Sequence, residues 1–353
     1  MSSSTPETKA PAPEAKAPAT NRAGLSVKEY GGSKSTLCVG CGHDVITRQI
    51  TQALYEMSIP PFKVAKLSGI GCSSKTTAYF ADRGHGFNAV HGRMPAVATG
   101  ALMVNSSLVG VGVSGDGDTA SIGAGQFVHL LRRNVPMVYI VENNGVYGLT
   151  KGQFSATADV GSTQKGGKVN EYSTIDVCGL AIELGATFVA RSFSGDGKQL
   201  VPLLMAAFSH RGTSIIDIVS PCVTFNDHTG STKSYAYVKD HDVVLHTADY
   251  IAAARDVAVD YEPGSVHDVE LEDGSHILLR KLDLDYDPTD ALQALRTIHD
   301  ANARGEFVTG LLYVDTKSQD LCERERLPRQ PLTDLEEDAL RIDREDWEKL
   351  MRP

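Results

Sequence analysis

The residues best suited to chemistry lie in two polar stretches with a characteristic spacing. Gly115, Asp116 and Gly117 come at the end of a strand-like segment, and Asn144 comes 28 positions after Asp116, at the end of the next such segment. This interval suits one βαβ crossover, so both side chains are expected at the same carboxyl edge of a parallel sheet. A carboxylate, an amide oxygen and a nearby carbonyl suit Mg²⁺, whose remaining positions can hold diphosphate oxygens. The glycines and the helix that begins at Asp118 favour the approach of phosphate.

Four of the six cysteines form a second group. Cys38 and Cys41 are a C-x₂-C pair just before a predicted helix, whose N-terminus favours a thiolate. Cys72 and Cys222 each follow a predicted strand, which places them at the carboxyl edge as well. Four thiolates suit a [4Fe–4S] cluster or a Zn²⁺ ion, and the spacing also fits scattered structural cysteines.

The other cysteines and the glycine-flanked histidines carry weaker signals. Cys178 lies in an apolar helical segment and is predicted to be a buried, inert thiol, whereas Cys322 lies among charged residues and is predicted to be a surface thiol. His43 and His85 are flanked by glycine, and for both a turn or surface position is the favoured interpretation.

Alternating strand and helix patterns must position these groups. Strands are predicted over residues 62–69, 107–115, 136–142, 187–192 and 214–220, and helices over residues 43–57, 118–133 and about 198–210. Residues 173–176 resemble a capping box that begins another helix, which Gly185 ends. The alternation predicts an α/β fold with a doubly wound, mostly parallel sheet that is covered on both faces.

The chain is expected to have three parts. Residues 1–22 have few large apolar side chains and are predicted to be a disordered tail. Residues 23–240 form the α/β domain that carries both polar groups. Residues 241–353 are a C-terminal extension that packs on this domain or on a partner subunit. Within the extension, residues 266–281 suggest a hairpin, 289–303 an amphipathic helix, 308–314 a strand and 332–351 an acidic helical segment.

Composition excludes several classes of protein. The 353 residues carry a formal net charge of −10 without a long Lys/Arg block, so nucleic acid is not an expected partner. No apolar run approaches the roughly eighteen residues of a membrane span, and no secretory signal is visible. A cytoplasmic location is therefore expected, in which the cysteines are reduced thiols or metal ligands.

Together these motifs resemble the β subunit of the 2-oxoacid:ferredoxin oxidoreductases. The GDG and NN stretches are similar to the thiamine-diphosphate motif, in which the two are separated by one crossover. The resemblance runs from about residue 36 to residue 226 and rests on the stretches CVGCGH, SGIGCSS, HGR with MPAVATG, GDGD, ENNGVYGLT and PCVTFN.

The resemblance implies three cofactors: thiamine diphosphate, Mg²⁺ and one [4Fe–4S] cluster. The implied cluster ligands are Cys38, Cys41, Cys72 and Cys222, and the implied Mg²⁺ ligands are Asp116, the side chain of Asn144 and the carbonyl of Val146. Further implied cofactor-binding residues are Ile70, Gly71, Cys72, Gly115, Gly117, Asp118, Gly148 and Leu149. His91 and Arg93 belong to a tripeptide that the family has near the substrate, where Arg93 can pair with a substrate carboxylate. A structural salt bridge within the sheet is the alternative for Arg93.

The implied activity is oxidative decarboxylation of a 2-oxoacid, with acyl transfer to coenzyme A and electrons passing through the cluster to ferredoxin. The reaction is reversible in the family. The HGR and PCVTFN stretches, with the long tail after Cys222, favour 2-oxoglutarate over pyruvate or a broad range of 2-oxoacids. No motif supplies the carboxylate that faces the aminopyrimidine ring, so an α subunit is expected to complete the site in an (αβ)₂ heterotetramer and to hold most coenzyme A contacts.

Other readings stay open at this stage. A dinucleotide site is weaker, because no G-x-G-x-x-G follows the first strand. A thiamine-dependent decarboxylase or acetohydroxyacid-type lyase would leave the cysteines without a ligand. In another interpretation the chain is a zinc-stabilised, non-catalytic scaffold subunit, and its GDG and NN motifs occur together by chance.

Overall fold

The computed structural model describes residues 19–164, 166–226, 231–244, 266–270, 276–280, 286–328 and 330–352. The strands are β1 (Val64–Ser68), β2 (His85–Asn88), β3 (Val109–Gly115), β4 (Met137–Asn143), β5 (Val146–Tyr147), β6 (Gln153–Phe154), β7 (Phe188–Phe193), β8 (Thr213–Val219), β9 (Asp242–Val244), β10 (Val266–Glu270), β11 (His276–Arg280) and β12 (Phe307–Val314). The α-helices are α1 (Gly42–Glu56), α2 (Ser73–Thr76), α3 (Met94–Val104), α4 (Ala124–Arg133), α5 (Val177–Glu183), α6 (Gly197–Ser209), α7 (Tyr235–His241), α8 (Ala291–Ala303), α9 (Leu321–Arg324) and α10 (Arg344–Leu350).

Eight strands form one sheet in the order β2-β1-β3-β4-β8-β7-β12-β9. Every neighbouring pair is parallel except β7 and β12, which are antiparallel. The predicted α/β class, with a doubly wound and mostly parallel sheet, is confirmed. The strands at the centre, β1, β3, β4 and β8, are the ones whose following loops carry the predicted site residues.

Two apolar layers cover the faces of this sheet. Along β4, Val138 and Ile140 belong to the layer that contains α1 and α6, whereas Tyr139 and Val141 belong to the layer that contains α3, α4, α5 and α8. This alternation follows from the two-residue period of a strand. Because both faces of the sheet are covered, every residue of β4 and β8 is buried, including the polar residues Glu142 and Asp217.

The helix after β3 differs from its prediction over residues 118–133. Residues Asp118–Ile122 form a π-helical turn in which the Gly123 amide donates to the Asp118 carbonyl at 2.7 Å, and α4 begins only at Ala124. Gly92 lies close to this turn, since a Cβ atom at Gly123 would be 3.1 Å from the Cα atom of Gly92. Turns of this kind are common at functional sites.

The predicted capping box at residues 173–176 is wrong. The N-cap of α5 is Asp176, whose carboxylate accepts a hydrogen bond from the Gly179 amide at 2.8 Å. Arg191 on β7 contacts the same carboxylate at 2.7 Å and holds it at the helix start. Gly185 follows the helix with a φ of 81°, as its predicted role at the helix end requires.

Part of the region after α7 adds to the sheet and to one of its covering layers. β12 adds to the sheet beside β7, α8 packs against the layer of α5, and β10 and β11 pair as the predicted antiparallel hairpin. Residues 1–18 of the predicted tail lie outside the described residues. Asn21 donates to the Tyr30 hydroxyl and the Tyr55 carbonyl, both at 2.8 Å. Within the described ranges, no helix is both long enough and apolar enough to span a bilayer.

Leu204 tests the layer of α1 and α6 away from the site. Its side chain is fully buried, so Leu204→Ala is expected to lower the free energy of unfolding by about 2–5 kcal/mol, through lost burial and the cavity left behind. Leu292→Ala is the matched control, since Leu292 is 64% exposed on α8 and its loss should cost less than about 0.5 kcal/mol. Denaturant unfolding measures both, and equal losses would contradict this assignment of the core.

Candidate functional site

The centre of the sheet brings four loops together at one edge. β1, β3, β4 and β8 are adjacent and parallel, so the loops that follow them leave the sheet on the same side. Asp116 and Asn144 follow β3 and β4, and Cys72 and Cys222 follow β1 and β8. The predicted position of these four residues at one carboxyl edge is therefore confirmed.

Asp116 is buried just past the end of β3 and is held by one of its two oxygens. Its Oδ2 accepts hydrogen bonds from the Gly145 amide at 3.1 Å, from the Thr157 hydroxyl at 2.6 Å and from the Ser155 hydroxyl. Its Oδ1 accepts a long bond of 3.4 Å from the Asn144 amide. Burial raises the pKa of Asp116, although these donors oppose the shift. Oδ1 is thus the oxygen best placed to bind a cation, which would stabilise the ionised carboxylate.

The loop after β4 holds Asn144 beside this carboxylate. The Asn144 side-chain oxygen accepts a hydrogen bond from the Val146 amide at 3.1 Å, and Gly145 between them has a φ of 75°, which favours glycine. The Asn144 carbonyl accepts a hydrogen bond from the side chain of Asn226 at 2.7 Å. Asn226 belongs to the segment that follows Cys222, so the two stretches of the predicted site support each other.

Asp118 connects the surrounding loops. Its Oδ1 accepts a hydrogen bond from the Gly92 amide at 2.7 Å, and its Oδ2 accepts from the Ser114 hydroxyl at 3.0 Å and the Ile70 amide at 3.3 Å. The side chain is buried, so this carboxylate is committed to protein donors. Asp118 therefore positions the loops of Ile70 and Gly92 around the site.

Gly117 is required by packing as well as by the predicted approach of phosphate. A Cβ atom at Gly117 would lie 2.4 Å from the ring of Tyr147, far inside contact distance. The Tyr147 hydroxyl also donates to the Gly117 carbonyl at 3.0 Å. The loop after β4 therefore closes directly over the loop after β3.

The predicted cysteine group also comes together. A Cβ atom at Gly148 would lie 3.3 Å from the sulfur of Cys72 and 3.7 Å from the sulfur of Cys222, so these two thiols converge on the same glycine. The hydroxyl of Thr224 contacts the sulfur of Cys38 at 3.6 Å, which brings the C-x₂-C turn to the segment after β8. Glycine at position 148 leaves room that any side chain would fill.

The electrostatic interactions among the cysteines indicate that their sulfurs share one environment. Burial, together with Glu142, Cys222 and Cys72, raises the pKa of Cys41 to about 12. Burial and the neighbouring Cys222 also raise the pKa of Cys72, and Cys38 adds to that shift. Thiols with raised pKa values are protonated at neutral pH, so they need the positive charge of a bound metal to become thiolate ligands.

In the part of the chain that is described, no three His, Cys, Asp or Glu side chains are arranged as the ligands of one metal ion. A Zn²⁺ ion and a [4Fe–4S] cluster both take four thiolates, so both interpretations of the cysteine group stay open at this point.

His43 and Glu142 lie between the two groups. The prediction of a turn or surface position for His43 is wrong: the ring is 2% exposed, with Nδ1 2.8 Å from the Ser220 hydroxyl and 3.7 Å from Glu142. Its Nε2 is 3.5 Å from the side-chain nitrogen of Asn144. Burial lowers the pKa of His43 to about 4 and raises that of Glu142, whose carboxylate also accepts from the Thr76 hydroxyl at 3.0 Å.

His91, Arg93 and Leu149 lie at the exposed margin of the site. His91 and Arg93 are solvent-exposed in the loop that Asp118 holds, and Arg93 is the N-cap of α3. This position does not fit the alternative of a salt bridge within the sheet. Leu149, in the loop after β5, is 54% exposed. The predicted pairing of Arg93 with a substrate carboxylate stays a prediction.

The two cysteines outside the group have different outcomes. Cys178 is buried, as predicted, with its sulfur 3.7 Å from the Ala190 carbonyl, and burial raises its pKa. The prediction that Cys322 is a surface thiol is wrong. Its sulfur lies 3.8 Å from the Leu102 carbonyl, because α9 packs against α3 and covers it.

Three site residues carried no signal in the sequence. Ser155 and Thr157 donate to Asp116 from an irregular loop, and the buried ammonium of Lys233 pairs with Asp159 at 3.0 Å. Serine, threonine and lysine in loops are ordinary surface residues, and no spacing rule links them to the strand ends. By contrast, His43 and Glu142 could have been found, because each adjoins a predicted ligand motif.

Comparison with known sequences shows the relationships of the chain. Residues 69–218 match the family described as "Thiamine pyrophosphate enzyme, C-terminal TPP binding domain". The 2-oxoglutarate oxidoreductase subunit KorB of Mycobacterium tuberculosis is 34% identical over 262 residues, which cover 68% of each chain. The 2-oxoglutarate synthase subunit KorB of Methanocaldococcus jannaschii is 34% identical over 219 residues, which cover 60% of this chain and 79% of that one. The 2-oxoacid:ferredoxin oxidoreductase subunit beta of Saccharolobus solfataricus is 44% identical over 194 residues, and the match spans 64% of its length.

A solved structure extends the similarity to nearly the whole chain. The 2-oxoglutarate:ferredoxin oxidoreductase from Magnetococcus marinus, with 2-oxoglutarate, coenzyme A and succinyl-CoA bound, matches with a TM-score of 0.72 and 28% sequence identity. The match covers 93% of this chain and 97% of that one. From the thiamine-binding domain, the sheet edge that it builds and these relatives, we conclude that the chain belongs to the β-subunit family of the 2-oxoacid:ferredoxin oxidoreductases.

Proposed function

We propose that this chain is the β subunit of a 2-oxoglutarate:ferredoxin oxidoreductase (2-oxoglutarate synthase). The reaction converts 2-oxoglutarate and coenzyme A to succinyl-CoA and CO₂, passes the electrons to ferredoxin and is reversible. When bound, thiamine diphosphate supplies the carbanion chemistry of decarboxylation and a [4Fe–4S] cluster supplies one-electron transfer. One observation carries the proposal: the cysteine group and Asp116 lie at the same edge of one sheet, on loops of adjacent strands.

The chain's own residues fit an Mg²⁺–diphosphate site. Asp116 offers Oδ1, while its Oδ2 is held by protein donors, and the loop after β4 holds the side chain of Asn144 and the main chain of Val146 beside it. Gly115 places no side chain in the way of phosphate oxygens, whereas the space beside Gly117 is taken by the ring of Tyr147. These residues bind and orient the cofactor, with Ile70, Gly71 and Asp118 shaping the neighbouring wall.

The cysteine group fits a [4Fe–4S] cluster held by Cys38, Cys41, Cys72 and Cys222. Cys41 is buried and Cys38 is exposed, so the group extends from the protein interior to the surface. This arrangement supports a path by which electrons leave the sheet edge toward an external acceptor, ferredoxin. The side chains of His43 and Glu142 are buried between the two groups.

The substrate assignment rests on the relatives and on the exposed margin of the site. Relatives are named for 2-oxoglutarate, and the solved structure of one holds 2-oxoglutarate, coenzyme A and succinyl-CoA. In this chain Arg93 and His91 are exposed beside the loop that Asp118 fixes, where a substrate carboxylate can pair with the guanidinium. Pyruvate or a broad range of 2-oxoacids is the second candidate.

The proposal includes a partner subunit. An α subunit would cover the exposed margin, supply the carboxylate that faces the aminopyrimidine and hold most coenzyme A contacts, in an (αβ)₂ heterotetramer. The name "subunit beta" of a relative supports such a partner. We place the enzyme in the cytoplasm, where its thiols stay reduced and ferredoxin is available.

Turnover of two substrates tests the activity. The chain, co-expressed with its α subunit and purified anaerobically, is expected to reduce ferredoxin faster with 2-oxoglutarate than with pyruvate when coenzyme A is present. Ferredoxin reduction is followed by absorbance. Equal or faster turnover of pyruvate would favour the second candidate, and no turnover of either acid would overturn the proposed activity.

Cys72→Ser tests the cluster. Loss of one thiolate ligand is expected to remove or strongly diminish the broad absorption near about 400 nm that thiolate-bound iron–sulfur centres give, and to abolish ferredoxin reduction. Cys322→Ser is the matched control, because that buried cysteine lies away from the group and should leave the band unchanged. A colourless wild-type protein that contains zinc would contradict the cluster assignment.

Asp116→Ala tests the cation site. Removing the carboxylate should weaken Mg²⁺-dependent binding of thiamine diphosphate by at least about 100-fold. That factor is the upper end of the loss in affinity when a residue around the ligands of a metal is changed. Binding is measured by calorimetry with and without Mg²⁺. Asp196→Asn, at the N-cap of α6, is a control carboxylate with no contact to Asp116. Unchanged cofactor binding by Asp116→Ala would exclude the assigned role.

A further inference from the structure

One peptide group in the loop after β4 is held from both sides. The carbonyl oxygen of Asn144 accepts a hydrogen bond from the side-chain nitrogen of Asn226 at 2.7 Å. The N–H of the same peptide, on Gly145, donates to Oδ2 of Asp116 at 3.1 Å. Because the carbonyl and the N–H of a trans peptide point in opposite directions, Asn226 and Asp116 lie on opposite sides of this group. Asn144, Asn226 and Asp116 are each at most 5% exposed.

The two hydrogen bonds of this peptide use different protons. The contact of Asn226 with a carbonyl requires the amide nitrogen at that position, because the amide oxygen cannot donate. The Gly145 amide has one proton, and Asp116 accepts it. The two bonds therefore do not compete, and both favour the same orientation of the peptide.

The main chain by itself does not fix this orientation. Gly145 has a φ of 75°, and glycine adopts positive and negative φ about equally well. Turning the peptide over would bring the Asn144 carbonyl to the Asp116 carboxylate, where two acceptors would meet with no proton between them. Removing the Asn226 donor would leave a buried carbonyl without a partner, so the loop would gain free energy by moving that carbonyl toward another donor.

Asn226 lies on the segment of a predicted cluster ligand. Its main-chain amide donates to the Cys222 carbonyl at 2.9 Å, and the Phe225 amide donates to the same oxygen at 3.2 Å, which closes one turn of the chain. The ring of Phe225 packs against the loop between β5 and β6, where a Cβ atom at Gly152 would lie 2.8 Å from it. The Asn226 side chain therefore projects from an anchored turn.

We propose that Asn226 is a positioning residue for the diphosphate-bound Mg²⁺. It holds the peptide between Asn144 and Gly145 with the N–H toward Asp116, and so it fixes the two side chains that would bind the cation relative to each other. Because Asn226 belongs to the turn that begins at Cys222, the same hydrogen bond joins the cation site to the segment of the proposed cluster. The inference rests on the proposed function, since it concerns the cation of that site.

Asn226→Leu tests the inference, because leucine keeps the branched shape of asparagine but has no donor. In the enzyme co-purified with its α subunit, the affinity for Mg²⁺ at saturating thiamine diphosphate is expected to fall about 10- to 100-fold, the usual cost of changing a residue that orients the ligands of a metal. The affinity for Ca²⁺ should fall less, because Mg²⁺ demands near-ideal octahedral geometry whereas Ca²⁺ accepts irregular ligands. Calorimetric titration measures both dissociation constants.

Asn21→Leu is the matched control. Asn21 also donates from its side chain to a main-chain carbonyl, that of Tyr55 at 2.8 Å, but at the end of α1 that is far from the site. It should lower stability while leaving both cation affinities at their wild-type values. Wild-type Mg²⁺ affinity in Asn226→Leu, or an equal loss in Asn21→Leu, would overturn the positioning role. Equal losses of Mg²⁺ and Ca²⁺ affinity in Asn226→Leu would also overturn it, because they would indicate general damage to the site.

Asn226→Ala serves if Asn226→Leu does not fold. Alanine removes the donor without placing apolar atoms beside the carbonyl, and the same preferential loss of Mg²⁺ affinity is expected. Wild-type Mg²⁺ affinity in Asn226→Ala would count against the inference. If the wild-type enzyme itself binds no Mg²⁺ with thiamine diphosphate, the proposed function fails, which is distinct from a wild-type enzyme that binds and variants that bind equally well.

Discussion

A buried carboxylate at the end of the central strand organises the site. Asp116 is 1% exposed and would be costly to ionise without its donors, which come from the loop after β4 and from the segment at residues 155–157. The hydrogen bonds to Asp116 hold these segments over the end of β3 and keep the loop of Asn144 beside the carboxylate. The glycines at 117 and 145 are consequences of this closure, since the first admits Tyr147 and the second allows the reversal of the chain.

The neighbouring cysteine group lies at the same edge of the sheet, but different interactions stabilise it. Burial and the neighbouring cysteines raise the pKa values of the Cys41 and Cys72 thiols, so the cluster that we propose for this group would have to supply the positive charge that turns neutral thiols into ligands. The buried pair of His43 and Glu142 separates it from the Asp116 loops.

Some of this arrangement could be predicted because it depends on local order along the chain. A strand, a helix and a second strand of ordinary length bring Asp116 and Asn144 to one edge whatever surrounds them. Errors arose where a contact distant in sequence decides the outcome. The charged segment around Cys322 predicts an exposed thiol, but α9 packs on α3 and covers it. The N-cap of α5 is Asp176, whose carboxylate is held by Arg191 from β7.

By itself, the sequence determined the α/β class and which strands are followed by Asp116, Asn144, Cys72 and Cys222. These follow from residue type and from spacing within single supersecondary units. Only the tertiary structure decided which oxygen of Asp116 receives most of the protein donors, and that His43 lies buried beside Asn144 and Glu142. Such contacts join residues from separate crossovers, and hydrogen bonds between them depend on distances that no periodicity along the chain records.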